Sequence, residues 1–183
     1  MLDINQLKWK TSDEIAKIVH KWQLYSNLDY YEWHIRLVCE KWLEIAEKLW
    51  LTDDQLNTVK IICNLHDAPE DTWLNGEFIE QLFWNWIWEE VEALNKKHSN
   101  WIYKTKDEYY TIISQNILRK ITKTADRYIN VSSIPNVDKH QALKYLSKYQ
   151  NEQIYFEKYK IFPEILNPCF EEVNNILKQR WRL

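Results

Sequence analysis

Residues 56–73, LNTVKIICNLHDAPEDTW, run from an apolar helical stripe into a cluster of acids. Leu56, Val59, Cys63 and His66 follow one another at +3, +4 and +3, which places them on one face of a helix. His66 ends that face, Asp67 stands beside it, and Glu70 and Asp71 come directly after. A buried carboxylate beside a buried imidazole needs a charge partner, so the pair points to chemistry more than to packing.

The pattern extends outward from this stretch in both directions. Thr52-Asp53-Asp54-Gln55 has the form of a capping box that opens the helix, as do Thr11-Ser12-Asp13-Glu14 and Thr105-Lys106-Asp107-Glu108 elsewhere. A preceding helix from about Tyr31 to Trp50 carries Val38, Trp42, Ile45 and Leu49 as its inward stripe, with His34 one turn before Val38. If these two helices are antiparallel neighbours, His34 and His66 point into one interior at the same end. Leu74-Asn75-Gly76 marks a turn, after which the pattern is helical from Glu77 to about Lys97. A long helix is expected from about Asp107 to Asn130 on the stripe Ile113, Ile117, Ile121 and Ala125. Asp126 adjoins that stripe, and Asn130 lies one turn later on the same side. Ser132-Ser133-Ile134-Pro135 breaks the chain, and two more helices are expected over about 138–160 and 168–180. No stretch alternates with period two, so the expected fold is all-α, a single compact helical bundle spanning residues 1–183.

Bulk properties narrow the function. A net charge of −3 argues against general nucleic-acid binding, and no apolar run approaches the ~20 residues that span a bilayer. The amino terminus lacks the charged-then-apolar pattern of an export signal, so a cytoplasmic location is expected. Cys39, Cys63 and Cys169 show no paired spacing and read as free thiols. An assembly of identical subunits is compatible with the sequence.

His34, His66, Asp67 and Asp126 are all metal-ligand types, and imidazole with carboxylate suits manganese, iron or zinc. Any one of them alone is better explained as a hydrogen-bonded core residue or a surface charge. Glu70 and Asp71 stand where they could handle the proton of a metal-bound water. A di-iron bundle would need Glu-x-x-His pairs, and none occurs. Charge runs such as Asn95-Lys96-Lys97-His98 read as solvated faces, and the tryptophans and tyrosines as core residues.

These residues resemble a family, the HD-domain phosphohydrolases, and within it the RelA/SpoT-type alarmone hydrolases. That family reads HD-x-x-EDT, matched by His66-Asp67-Ala68-Pro69-Glu70-Asp71-Thr72. It also reads K-x-ADR-x-x-N, matched from Lys123-Thr124-Ala125-Asp126-Arg127 to Asn130. Upstream, His20-Lys21-Trp22-Gln23 and Tyr31-Glu32-Trp33-His34 resemble the family's H-x-GQ stretch and its first metal histidine, and Glu89 to Leu94 resembles the helix after EDT. The resemblance covers about His20 to Asn130. It implies an HD-type fold and one divalent metal, manganese by similarity, held by His34, His66, Asp67 and Asp126. It further implies water activation by Glu70 and Asp71, and a nucleotide substrate contacted by Asn130, with Lys21 and Arg127 as the nearest basic candidates for its phosphates. The leading substrate is an alarmone such as ppGpp.

Two departures bear on that substrate. Tyr25-Ser26 stand where the alarmone hydrolases carry a basic Arg-Lys pair. The interval from His34 to His66 is long for those enzymes and, with the sequence HDAPE, resembles the 5′-nucleotidase branch of the superfamily. A 5′-nucleotidase or deoxynucleotide triphosphohydrolase is therefore the alternative, and an inactive nucleotide-binding module a third possibility. Composition adds one anomaly: 11 tryptophans but a single glycine, Gly76, where about 13 glycines would be usual. Trp22 occupies the glycine position of H-x-GQ, Trp50 a helix end where glycine commonly caps, and Trp84 and Trp86 a candidate turn. Several of these positions are expected to be UGA codons that the source organism reads as glycine.

Overall fold

The computed structural model describes residues 4–25, 27–98 and 102–181. Each of the three capping boxes opens a helix. Thr11 accepts the backbone N–H of Glu14 at the start of α1 (Ser12–Val19), and Thr52 that of Gln55 at α3 (Asp53–Leu65). Thr105 accepts that of Glu108 at α7 (Lys106–Ser114), and in all three the third residue's side chain reaches back to the capping N–H. Asn75 and Asn116 cap α5 (Gly76–Leu82) and α8 (Ile117–Ser132) through their own side-chain oxygens.

The bundle is built around α8, which packs chiefly on α2 (Arg36–Ala46) and α10 (Pro163–Trp181), with α3 also against it. Val38, Ile62, Ile121 and Ala125 are completely buried where these helices meet. Removing each larger aliphatic side chain from water contributes roughly 1.5–3 kcal/mol before entropy is counted. The bundle also holds α4 (Ala68–Asp71), α6 (Asn85–Leu94) and α9 (Lys139–Lys158), short 3-10 turns at Ile4–Gln6 and Ile134–Asn136, and a two-stranded hairpin of β1 (Leu24–Tyr25) and β2 (Leu28–Asp29). The all-α expectation therefore holds, the hairpin being the one small sheet among the described residues. No described helix is long and apolar enough to cross a membrane.

Several boundaries differ from the periodic reading. The helix expected from Tyr31 begins as a π-helical turn, Tyr31–Ile35, before α2, and ends at Ala46. The expected 77–97 helix is split at Phe83–Trp84 into α5 and α6, and the 107–130 helix at Gln115–Asn116 into α7 and α8. At Asn116 the side chain captures the N–H of Leu118, so the local cap outcompetes helix continuation. The last helix starts at Pro163, five residues ahead of Pro168, which it carries inside. A proline at the first helical position costs nothing, whereas Pro168 withholds one intrahelical hydrogen bond.

With glycine nearly absent, other residues take the left-handed backbone. Asn27 does so in the hairpin at φ 71°, and Lys160 at φ 52° just beyond the end of α9. The tryptophans correct the expectation that they fill the core. Trp42 is buried, but Trp9, Trp22, Trp33, Trp50, Trp73, Trp84 and Trp86 are exposed, Trp50 completely. The cysteines are free, with Cys63 and Cys169 buried.

Candidate metal centre

Three helices and one turn deliver four side chains to one point. The π-helical turn presents His34, the carboxyl end of α3 presents His66, Asp67 stands at the start of α4, and α8 presents Asp126. One donor atom from each lies within 4.8 Å of all the others. An ion bound at about 2.1 Å spans donors up to about 4.2 Å apart, so closure around it needs only a slight contraction. His34 Nε2 lies 3.2 Å from Asp67 Oδ2 and 3.6 Å from Asp126 Oδ1, and His66 Nε2 lies 3.1 Å and 3.9 Å from the same atoms.

The tautomer of His66 is set from behind, because Nδ1–H donates to the Cys63 carbonyl at 2.7 Å. Its Nε2 is buried and forms no hydrogen bond, so the close approach to Asp67 is electrostatic. A buried nitrogen aimed at two carboxylates without a formed bond is the arrangement a cation would complete. Burial opposes charge on the His66 imidazole, but Asp67 and then Asp126 push its pKa up to about 9. Burial also works against Asp67, yet the two imidazoles hold its carboxyl well below the ordinary range. For Asp126 burial is again overcome, here by the Lys123 ammonium, whose Nζ donates to Asp126 Oδ2 at 2.7 Å, both side chains being buried.

Glu70 and Asp71 flank the cluster differently. Glu70 accepts the Lys96 backbone N–H at 2.7 Å and its Nζ at 3.1 Å. Asp71 is exposed, and its pKa is raised by partial desolvation and then by Asp67 and Glu70. Lys96 is exposed, as its charge run suggests, but its contacts reach the site. It ties Glu70 and lines a cavity of about 210 Å³ with Lys104, Lys106, Arg127, Tyr109 and Glu152. Lys104 donates its backbone N–H to the Lys96 carbonyl and His98 to that of Ile102, a pairing that a charge run does not disclose.

The three residues expected at the substrate are placed unequally. Asn130 is at the cluster, but its Nδ2 donates to the Asp126 carbonyl at 3.0 Å and to the Asp126 carboxylate, and its Oδ1 accepts from Tyr25 at 3.2 Å. In this structure it braces Asp126. Arg127 does not face solvent; it is buried in an ion pair with Glu152, stacks 4.2 Å from the Tyr149 ring centroid, and leaves Nε without a partner. Lys21 is exposed over the Trp22 ring, and no described contact joins it to the cluster. It sits in the open turn after α1, where nothing folds it back.

Sequence reasoning missed Tyr25 and Tyr30. Tyr25 stacks on His34, with ring centroids 5.2 Å apart, and its hydroxyl lies 2.7 Å from Ser133 Oγ. Tyr30 donates its hydroxyl to Asp67 Oδ2 at 2.7 Å and lies 3.4 Å from Asp71 Oδ2. Behind it, His20 stacks on Tyr30 and donates to Gln23, whose amide donates to the Asp71 carbonyl. The H-x-GQ stretch thus leads directly to Asp71. Ser26, the other residue of the departing pair, lies outside the described residues.

The arrangement defines a helical bundle with a His/Asp cluster able to hold a metal ion. A solved structure of a metazoan ortholog of SpoT, described as hydrolyzing ppGpp and playing a role in starvation responses, shares this fold. It matches with a TM-score of 0.60 at 18% identity, covering 94% of this chain and 94% of its own. The likeness agrees with the RelA/SpoT-type resemblance read from the motifs. No family model and no curated protein sequence matches the chain.

Proposed function

We propose that this chain is a metal-dependent phosphohydrolase acting on a nucleotide, with a ppGpp-type alarmone as leading substrate. The observation that carries the reading is the convergence of His34, His66, Asp67 and Asp126, with an unbonded buried Nε2 facing two carboxylates. These four would hold one divalent cation, manganese by similarity, with iron or zinc also suited to the donors. Such an ion lowers the pKa of a bound water and clamps a phosphoryl oxygen.

The chain's own residues supply the rest. Asp71, exposed and with raised proton affinity, is suited to accept the proton of the attacking water. Glu70, held by Lys96, orients beside it. Lys96 also opens onto the basic cavity of about 210 Å³, whose lysines and Arg127 offer charge to the phosphates that the missing Arg-Lys pair would have gripped. Asn130 and Arg127 thus stay substrate-side candidates, Asn130 through a rearranged amide and Arg127 through the charge it lends the cavity.

A second reading, a deoxynucleotide triphosphohydrolase or 5′-nucleotidase, is favoured by one observation: a neutral phenol, Tyr25, occupies the place of that pair. A panel of ppGpp, nucleoside triphosphates, deoxynucleotides and monophosphates, each with Mn²⁺, separates the two. Pyrophosphate released from ppGpp alone supports the first; phosphate or triphosphate released from deoxynucleotides alone replaces it with the second. Asp67→Ala should abolish turnover in either case, and full activity in that variant refutes the metal mechanism.

A further inference from the structure

We propose that Tyr25 and Tyr30, at the two ends of the β1–β2 hairpin, are positioning residues that pre-set three of the four metal-binding side chains. This rests on the metal-centre reading above and adds residues to it. The two rings enclose His34: Tyr25 lies nearly parallel at 5.2 Å and 18°, and Tyr30 is tilted at 5.1 Å and 55°. Their hydroxyls then diverge to the two carboxylates. Tyr30 donates to Asp67 Oδ2 at 2.7 Å, the same oxygen that His34 and His66 approach. Tyr25 donates to Asn130 Oδ1 at 3.2 Å, and the Asn130 amide donates to Asp126.

His66 alone is aimed by other means, through the Cys63 carbonyl. Partners of this kind fix the orientation of ligand side chains, and their loss typically costs about 10–100-fold in metal affinity. A phenol hydroxyl keeps its proton at neutral pH, so both side chains act as donors. A cation at position 25 would grip phosphate; the Tyr25 phenol there, with Tyr30 beside it, instead spends its hydroxyl on the residues around the cluster.

The test is a titration of Mn²⁺ into substrate-free protein, read by calorimetry and thermal shift, for wild type, Tyr25→Phe, Tyr30→Phe and Tyr31→Phe. Tyr31 is the control, since its hydroxyl donates to Asp13 away from the cluster. Tyr30→Phe should weaken Mn²⁺ about tenfold or more, and Tyr25→Phe, acting through Asn130, by about threefold to tenfold. Tyr31→Phe should stay within about twofold, and KM for a hydrolysed nucleotide at saturating Mn²⁺ should be unchanged in all. If Tyr25→Phe does not fold, Asn130→Ser interrogates the same arm and should weaken Mn²⁺ similarly. Unchanged metal affinity in both tyrosine variants overturns the proposal, and a raised KM at unchanged affinity would make the phenols substrate contacts instead. Wild-type protein that binds no Mn²⁺, Fe²⁺ or Zn²⁺ fails at the earlier step and removes the metal reading itself.

Discussion

Metal binding should tighten about tenfold for each unit rise in pH until His66 has given up its proton. Without a cation, the carboxylates of Asp67 and Asp126 push the His66 pKa to about 9 against the cost of burial. Nδ1–H is engaged by the Cys63 carbonyl, so the acid proton sits on Nε2, the atom that faces the cluster. A metal can take that nitrogen only when it is neutral. At pH 7 only about one molecule in a hundred has it so, an affinity loss of roughly 3 kcal/mol relative to pH well above 9. The sign for stability is opposite in the metal-free protein. A folded pKa raised from the ordinary 6.5 to about 9 contributes stability fully present below pH 6.5 and lost as pH rises through 9. The loss amounts to roughly 3 kcal/mol. Melting of metal-free protein should therefore fall between pH 6.5 and 9, while the stabilisation by Mn²⁺ grows. Calorimetry at pH 7 in buffers of different ionisation heat should count about one proton released per ion. Affinity that stays level from pH 6.5 to 8.5, with no proton released, would refute this account of His66.

Glu70→Gln should retain Mn²⁺ binding, since Glu70 is outside the four-donor group, yet lower kcat by roughly 10²–10⁴; steady-state kinetics beside a metal titration checks this, and undiminished turnover would remove Glu70 from the chemistry. Trp50 is completely exposed, so its replacement by glycine should alter stability by no more than about 1 kcal/mol, measured by denaturant melts. The coding sequence should carry UGA at several of Trp22, Trp50, Trp84 and Trp86; UGG at all four would end the glycine explanation.

The His/Asp cluster is legible in the sequence because His34, His66 and Asp126 sit on or beside an apolar stripe and Asp67 directly follows His66. His66 closes the Leu56–Val59–Cys63 face, and Asp126 adjoins Ala125 on a helix whose periodicity is plain. What brings His34 to them is tertiary, yet its place one turn before Val38 suffices to orient it inward, where it is buried. The helix breaks at Phe83–Trp84 and Gln115–Asn116 are harder to read, since apolar spacing continues across both and a capping asparagine looks like any polar surface residue. Lys123 is visible as part of a motif but not as the charge beneath Asp126, because a lysine three residues before an aspartate is far more often solvated. Tyr25, Tyr30 and Lys96 escape for a common reason. Each reaches the cluster from a hairpin or loop, where sequence carries no phase that says which way a side chain will point.

The π-helical turn at Tyr31–Ile35 separates two parts of the molecule that can change by different rules. A π turn holds one more residue than an α turn, so it is the form a helix takes when it absorbs an insertion without shifting its downstream residues. On that downstream side, α2 keeps its register against α8, and His34 keeps its aim. Upstream, loss of a single residue would restore the α-helical path and rotate the hairpin by about 100° relative to His34. Such a deletion would carry Tyr30 and Tyr25 away from Asp67 and Asn130 together. Chain length at this one turn thus sets which hairpin residues meet the cluster. Lineages could exchange one set of neighbours for another in a single step while the four donors stay in place.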